Sequence, residues 1–273
     1  MMTSYSQRYK AKVVEFFNNR TQYDKETTIQ RALPLIDLVP LSPGDKVLDV
    51  ATGTGIIALA LAQKVGPEGR VVGVDFSSGL LAQAQQKIDE LELGNIELVE
   101  ADAEQVAFED NSFDAVLCSS ALVYLKDIPN VLKQWHSWLK PGGTVAFSAW
   151  SEQSYATPLI IEVCAKHSIE LFNINEPTGN TKKCCSLLEN AGFENIQITQ
   201  QQQGHYESVD QAQRWDGSWF HPTHNPLENL PEERIKILIA EYAAAIAKKA
   251  NEQGVWVEKE AFYICGQKPN VRV

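Results

Sequence analysis

No run of about 18 consecutive apolar residues, the least a bilayer-crossing helix needs, occurs in the chain, so no membrane span is expected. The opening residues, MMTSYSQRYKAKVVEFF, lack the apolar centre of a secretion signal. Positive charge is scarce: 24 Lys and Arg face 35 Asp and Glu, a formal net charge of −11, and no basic stripe gathers anywhere. Affinity for nucleic acid rests on neutralising phosphates, so a nucleic-acid partner is not expected, and an anionic membrane surface is disfavoured for the same reason. Cysteine is sparse and odd in number: Cys118, Cys164, Cys184, Cys185 and Cys265 show no metal-type spacing. This predicts reduced thiols, a cytoplasmic protein and no metal site. Apart from the short Gln200–Gln203 run there is no repeat and no low-complexity tract.

What is present is an alternation. Lys46–Gly55, KVLDVATGTG, is a short apolar run holding one acid, Asp49, followed by a turn with Gly53 and Gly55 and then by IIALALAQKV, which reads as a helix. Strand, glycine turn and helix open a nucleotide pocket in parallel α/β sheets. Further strands are predicted at 70–75, 96–101, 113–119 and 144–150, with helices at 56–65, 79–91 and 128–139 between them, which implies a parallel sheet covered on both faces. Before this core, residues 5–38 read as helical with a break at Thr21–Asp24; after it, helices are predicted at 158–173, 182–191 and from Pro231 to about Ala250, and strands at 193–199 and 262–267.

The predicted strands end in polar residues: Asp75 closes VVGVD, Asp102 follows IELVEA, and Ser119 and Ser120 follow DAVLC. In a parallel sheet these ends share one edge, where such folds take ligands. An acid at the second strand end suits ribose hydroxyls, and one after the third suits an exocyclic amine. Gly53-x-Gly55-x-x-Ala58 with Asp75 about twenty residues on also fits the dinucleotide fingerprint, which keeps an NAD(P)-dependent oxidoreductase open as an alternative. Against it, Asp49 is awkward beside a pyrophosphate, and no Ser with Tyr-x-x-x-Lys follows.

Taken in order, VLDVATGTG, VVGVDFS, EADAEQVAFEDNSFDAVLCSSALVYLKD and LKPGGTVAFSAW resemble the successive motifs of the Rossmann-like S-adenosylmethionine-dependent methyltransferases, of the small-molecule, ubiquinone–menaquinone-methyltransferase-like type. The resemblance is close over 45–150. It implies a three-layer α/β sandwich with a seven-stranded, mostly parallel sheet whose last strand is antiparallel, plus a small helical cap. It implies S-adenosyl-L-methionine as cofactor, S-adenosyl-L-homocysteine as product and a small-molecule methyl acceptor. On this resemblance Asp49 supports the first motif, which includes Ala51 and Thr52, and the methionine ammonium; Gly53 and Gly55 let the methionine part approach the backbone. Asp75 takes the ribose hydroxyls, Phe76 lies against the adenine, Asp102 takes its amine, Ala103 offers a backbone N–H, and Ser119 a carbonyl. RTQYDKET resembles the family's entry segment, which gives Tyr23 the role of folding over the cofactor. A cofactor-binding protein without catalysis stays as a second alternative.

The expected organisation is 1–40 as helices over the cofactor, 41–150 as the cofactor-binding core, 151–181 and 200–258 as cap insertions, and 182–199 with 259–273 as the end of the core sheet. Proton removal from an acceptor, where needed, has candidates in His205, His221, His224 and Tyr124. His221 and His224 stand in RWDGSWFHPTHNP among Trp215, Trp219 and Phe220, and this segment is expected to cover the methyl donor. His136 and His167 read as surface residues. The acceptor itself and the oligomeric state are not readable from the sequence.

Overall fold

A computed structural model describes residues 4–21 and 23–270. In chain order the elements are α1 (Tyr5–Asn18), α2 (Glu26–Ala32), a 3-10 turn (Leu33–Leu38), β1 (Lys46–Val50), α3 (Ile56–Val65), β2 (Arg70–Asp75), α4 (Ser78–Glu90), β3 (Ile96–Glu100) and β4 (Phe113–Ser119). They continue with α5 (Ile128–Trp138), β5 (Leu139–Trp150), α6 (Thr157–Lys166), α7 (Thr181–Ala191), β6 (Glu194–Gln202), β7 (His205–Glu207), α8 (Val209–Ala212), α9 (Glu232–Ala247), β8 (Val255–Val257) and β9 (Glu260–Gln267).

Seven strands form one sheet in the order β3-β2-β1-β4-β5-β9-β6. β1 to β5 pair in parallel, and β9, the last in sequence, runs antiparallel between β5 and β6. The side-chain period of two sorts β1 onto both faces: Leu48 and Val50 join one buried cluster with Trp135 of α5 and Leu188 of α7, while Val47 joins another with Leu61 of α3 and Leu35. The chain order therefore reverses between β1 and β4, so β1 and β4 run out side by side into a crevice at their carboxyl ends.

A third buried cluster lies outside these two and has its own members, among them Val163 and Cys164 of α6, Trp215, Trp219, and Leu238 and Tyr242 of α9. The Tyr242 hydroxyl donates to the carbonyl of Ala212 at 2.7 Å.

The core elements fall within a residue or two of their predicted bounds, save that β5 begins at Leu139. Two departures lie beyond it. The helix expected over 158–173 stops at Lys166, because Ser168 takes a left-handed conformation (φ 58°). The N–H of Ser168 then donates to the Ala165 carbonyl at 3.0 Å and that of Ile169 to Cys164 at 3.1 Å. This is a Schellman ending with serine in the glycine position, so the usual sequence mark of a helix end is absent. The ribbon β7–β8 carries no strand signal in the sequence. Its strands are three residues long, and it depends on Gly204, where a Cβ would stand 2.3 Å from the Trp256 ring.

Candidate functional site

A cavity of about 680 Å³ opens at the carboxyl ends of the parallel strands and is roofed by α1 and α2. That size suits a cofactor together with a small second ligand. Its wall includes Tyr23, Asp49, Ala51, Thr52 and Gly53, and further along Asp75, Phe76, Asp102, Ala103 and Ser119. Gly55 is not on the wall: it begins α3 with φ 80°, and a Cβ there would meet Ala84 at 3.2 Å, so its task is the close seating of α3 on α4.

Asp49 is only 1 % exposed. It accepts a hydrogen bond from Thr52 Oγ1 at 2.6 Å, and no described lysine, arginine or histidine forms an ion pair with it. Burial pushes its carboxyl up to about 7 against the pull of the Thr52 hydroxyl, with the nearby charge of Asp75 adding to the rise. Thr52 is held in turn by its N–H, which donates to the Val74 carbonyl at 2.9 Å. Its side chain crosses β2 at Gly73, where a Cβ would lie 2.9 Å from Thr52 Oγ1. The glycine in VVGVD thus makes room for the residue that holds Asp49.

Asp75 accepts from the backbone N–H of Gly53 at 2.8 Å and from that of Ser77 at 2.9 Å. Burial raises this carboxyl too, and the two amides oppose the rise. The first free amide of the glycine turn is therefore already given to a carboxylate. Asp102 accepts from the Glu104 N–H at 3.0 Å and from Lys10 Nζ at 2.6 Å, and Lys10 also pairs with Glu104 at 2.6 Å. Lys10 belongs to α1 and no motif pointed to it. A weaker signal was there: Tyr9, Val13 and Phe17 stand four residues apart in the helix, on one face, and all three wall the cavity. α1 is fixed at its other end by Asn18 Oδ1, which accepts from Ser77 Oγ at 2.7 Å and from the Gly79 N–H at 3.0 Å.

Aromatic side chains make up another part of the wall. Tyr124 meets Phe17 edge-on at 5.6 Å and Trp150 meets Tyr155 edge-on at 5.3 Å. Arg31 lies with its guanidinium 5.8 Å from the Trp150 ring centre. Three wall residues other than glycine have positive φ: Ala51 (55°), Ser120 (56°) and Tyr155 (61°). Backbone of this kind persists only where surrounding bonds impose it, and it collects at ligand sites.

The histidines expected over the donor do not reach the cavity: neither His221 nor His224 is among its wall residues. Trp215 and Trp219 are drawn into the third cluster, which leaves both imidazoles at its rim, 5.6 and 5.5 Å from the Phe172 ring. His221 meets α1 through its backbone, whose carbonyl accepts from the Tyr5 hydroxyl at 2.8 Å. His205, also a candidate, pairs with Glu207 at 3.0 Å and is equally off the wall. Of the proposed proton acceptors, Tyr124 alone lines it. Among the described residues no cluster of three His, Cys, Asp or Glu side chains suited to a metal occurs, and no helix is long and apolar enough to cross a membrane.

Comparison with known proteins bears on this arrangement. A family described as "Methyltransferase domain" matches residues 47–143, the stretch that supplies the acids and the glycine turn. Demethylmenaquinone methyltransferase of Bacillus cereus is 33% identical over 177 residues, which cover 59% of this chain and 75% of the relative. Among solved structures, the YcgJ protein of Bacillus subtilis has a TM-score of 0.60 at 17% identity, covering 88% of this chain and 99% of that one. Phosphoethanolamine N-methyltransferase 2 of Haemonchus contortus, solved with phosphomonomethylethanolamine and S-adenosylhomocysteine, has a TM-score of 0.58 at 19% identity over 94% of this chain and 60% of that one. These two share the fold. The chain spans three quarters of the Bacillus cereus relative at 33% identity, motifs and sheet order agree with it, and the chain belongs to the S-adenosylmethionine-dependent methyltransferases.

Proposed function

We propose that this enzyme moves a methyl group to an oxygen, nitrogen or carbon atom of a small molecule held at the aromatic part of the cavity wall. The relatives named above take their name from a small-molecule substrate, which supports an acceptor of that class. The observation that carries the placement of the donor is Asp49: an enclosed carboxylate without a cationic partner, under a turn whose Gly53 amide already serves Asp75. A buried uncompensated acid is costly, and a ligand ammonium relieves it. A pyrophosphate would meet a carboxylate where it needs a free amide, which weighs against the nicotinamide alternative.

When bound, S-adenosylmethionine supplies a methyl group on a sulfonium that leaves without further activation. The residues of this chain then bind, align and exclude water. Asp49 and the Ser119 carbonyl would hold the ammonium, Gly53 would allow close approach, Asp75 would accept from the ribose, Phe76 would lie on the adenine, and Asp102 and Ala103 would read its edge. Tyr23 closes the near side from the α1–α2 turn. Alignment of this kind is worth about 7–11 kcal/mol in a displacement at carbon. We give the histidine pair no proton-transfer role, since Tyr124 is the candidate that stands on the wall. The third cluster, with 151–181 and 200–258, acts as a cap on the 41–150 core and on the sheet end formed by 182–199 and 259–273, while 1–40 roofs the cofactor.

The test is ligand-induced thermal stabilisation. S-adenosylhomocysteine is expected to raise the melting midpoint of the wild type and to lose most of that effect in Asp49→Asn and Asp75→Ala. Stabilisation by NADH alone would overturn the reading. Binding without release of S-adenosylhomocysteine across a broad acceptor screen would favour the non-catalytic alternative.

A further inference from the structure

The cavity wall carries cations as well as acids. Arg20, Lys25 and Arg31 also stand on the wall, and among the described residues none of them forms an ion pair, whereas Lys10 on the same wall is paired twice. In a chain of net charge −11, three unpaired cations along twelve residues facing one cavity need a reason. Arg31 is the best placed of them. The last turn of α2 is pinned by the Tyr263 hydroxyl, which donates to the Arg31 carbonyl at 2.8 Å, and the guanidinium is braced on the Trp150 ring. Tyr155, edge-on to that ring, is held in its left-handed conformation from behind. Its N–H donates to the Glu258 carbonyl at 2.7 Å, and Ser154 Oγ accepts from the Glu260 N–H at 3.0 Å. The guanidinium of Arg31 also donates a side-chain hydrogen bond to the Tyr155 hydroxyl, which fixes it further and leaves its other N–H groups without a carboxylate partner among the described residues. A guanidinium held in this way beside two fixed rings is a recognition element for a flat anion.

We propose that the methyl acceptor is a planar ring bearing a carboxylate, with the carboxylate held by Arg31 and the ring flanked by Trp150 and Tyr155. The inference rests on the reading that the acidic part of the wall takes S-adenosylmethionine. A carboxylate matches the two-pronged N–H pattern of one guanidinium, and a ring matches the aromatic walls to which Phe17 and Tyr124 also belong. The rival claimant on Arg31 is the carboxylate of the donor itself, so the experiment must separate the two.

The full chain, saturated with S-adenosylhomocysteine, is titrated calorimetrically with 4-hydroxybenzoate, salicylate and 2-naphthoate, each beside its carboxamide. At least one acid is expected to bind ten-fold or more tightly than its amide. Arg31→Gln is expected to erase that preference while S-adenosylhomocysteine affinity stays within three-fold of wild type. Arg31→Lys, which keeps the charge but not the fork, is expected to retain part of it, and this variant guards against a folding defect. Equal binding of acids and amides, no binding by any acid, or a preference that survives in Arg31→Gln would overturn the proposal. So would a ten-fold loss of S-adenosylhomocysteine affinity in Arg31→Gln, which would assign the arginine to the donor. Failure of the wild type to bind S-adenosylhomocysteine at all would instead strike the underlying methyltransferase reading.

Discussion

The acidic and the aromatic parts of the cavity wall are made in different ways. In the acidic part the chain between Asp49 and Ser119 supplies most of the wall, and its residues fix one another: Gly73 admits Thr52, Thr52 holds Asp49, and Gly53 donates to Asp75. In the aromatic part the wall is assembled from α1, α2, the end of β5 and the turn at 154–155, brought together only by the fold. The first is a local device built from one stretch of sequence, and the second depends on segments far apart in the chain.

The sharpest way to test that contrast is pH. The folded chain holds the Asp49 proton up to about 7, against an ordinary value of 3.8, so between about pH 4 and pH 7 the folded state binds more protons than the unfolded one. Stability must therefore fall as pH rises through that window, by on the order of 4 kcal/mol if the whole shift is expressed. Asp49→Asn should flatten the melting profile from pH 5 to 8. Stabilisation of the wild type by S-adenosylhomocysteine, whose ammonium offsets the ionised acid, should grow over the same range.

Next in size is Gly73→Val, which forces Thr52 off Asp49 and crowds Leu98. A loss of about 3 kcal/mol in denaturant unfolding is expected, with donor binding lost as well. Asp75→Ala removes the acceptor of two backbone amides and should weaken S-adenosylhomocysteine at least ten-fold by calorimetry, whereas Tyr155→Phe, in the aromatic part, should leave that affinity unchanged. A smaller effect of opposite sign is expected at Tyr9, whose enclosed hydroxyl has no hydrogen-bond partner among the described residues: Tyr9→Phe should stabilise the ligand-free protein by up to about 1 kcal/mol in chemical unfolding. The smallest effect belongs to the pair His221→Ala and His224→Ala. Turnover within a few-fold of wild type is expected, and a hundred-fold fall would restore them to the chemistry.

The same contrast explains what could be read in advance. Parallel strands buried on both faces announce themselves as apolar runs, and the acids after VVGVD and IELVEA stand out because they break those runs. Asp49, Asp75 and Asp102 are therefore legible in the sequence, and the cavity gathers them. Lys10 and Arg31 are not, because a basic residue on an amphipathic helix looks the same whether it faces solvent or a cavity. Tyr155 was hidden by its backbone: a tyrosine at φ 61° follows no turn rule, and its place is dictated by Glu258 and Glu260, about a hundred residues later. Aromatic neighbours make the histidines look like part of a pocket, whereas Trp215 and Trp219 serve the interior of the third buried cluster.

Lys10 has a last consequence. It reaches from α1 to both Asp102 and Glu104, so α1 is latched by charge to the wall that follows β3. Partly exposed ion pairs slacken as salt is added. With Asp102 at the adenine edge, as proposed, ionic strength becomes a throttle on product exchange, and release of S-adenosylhomocysteine is expected to quicken as salt rises.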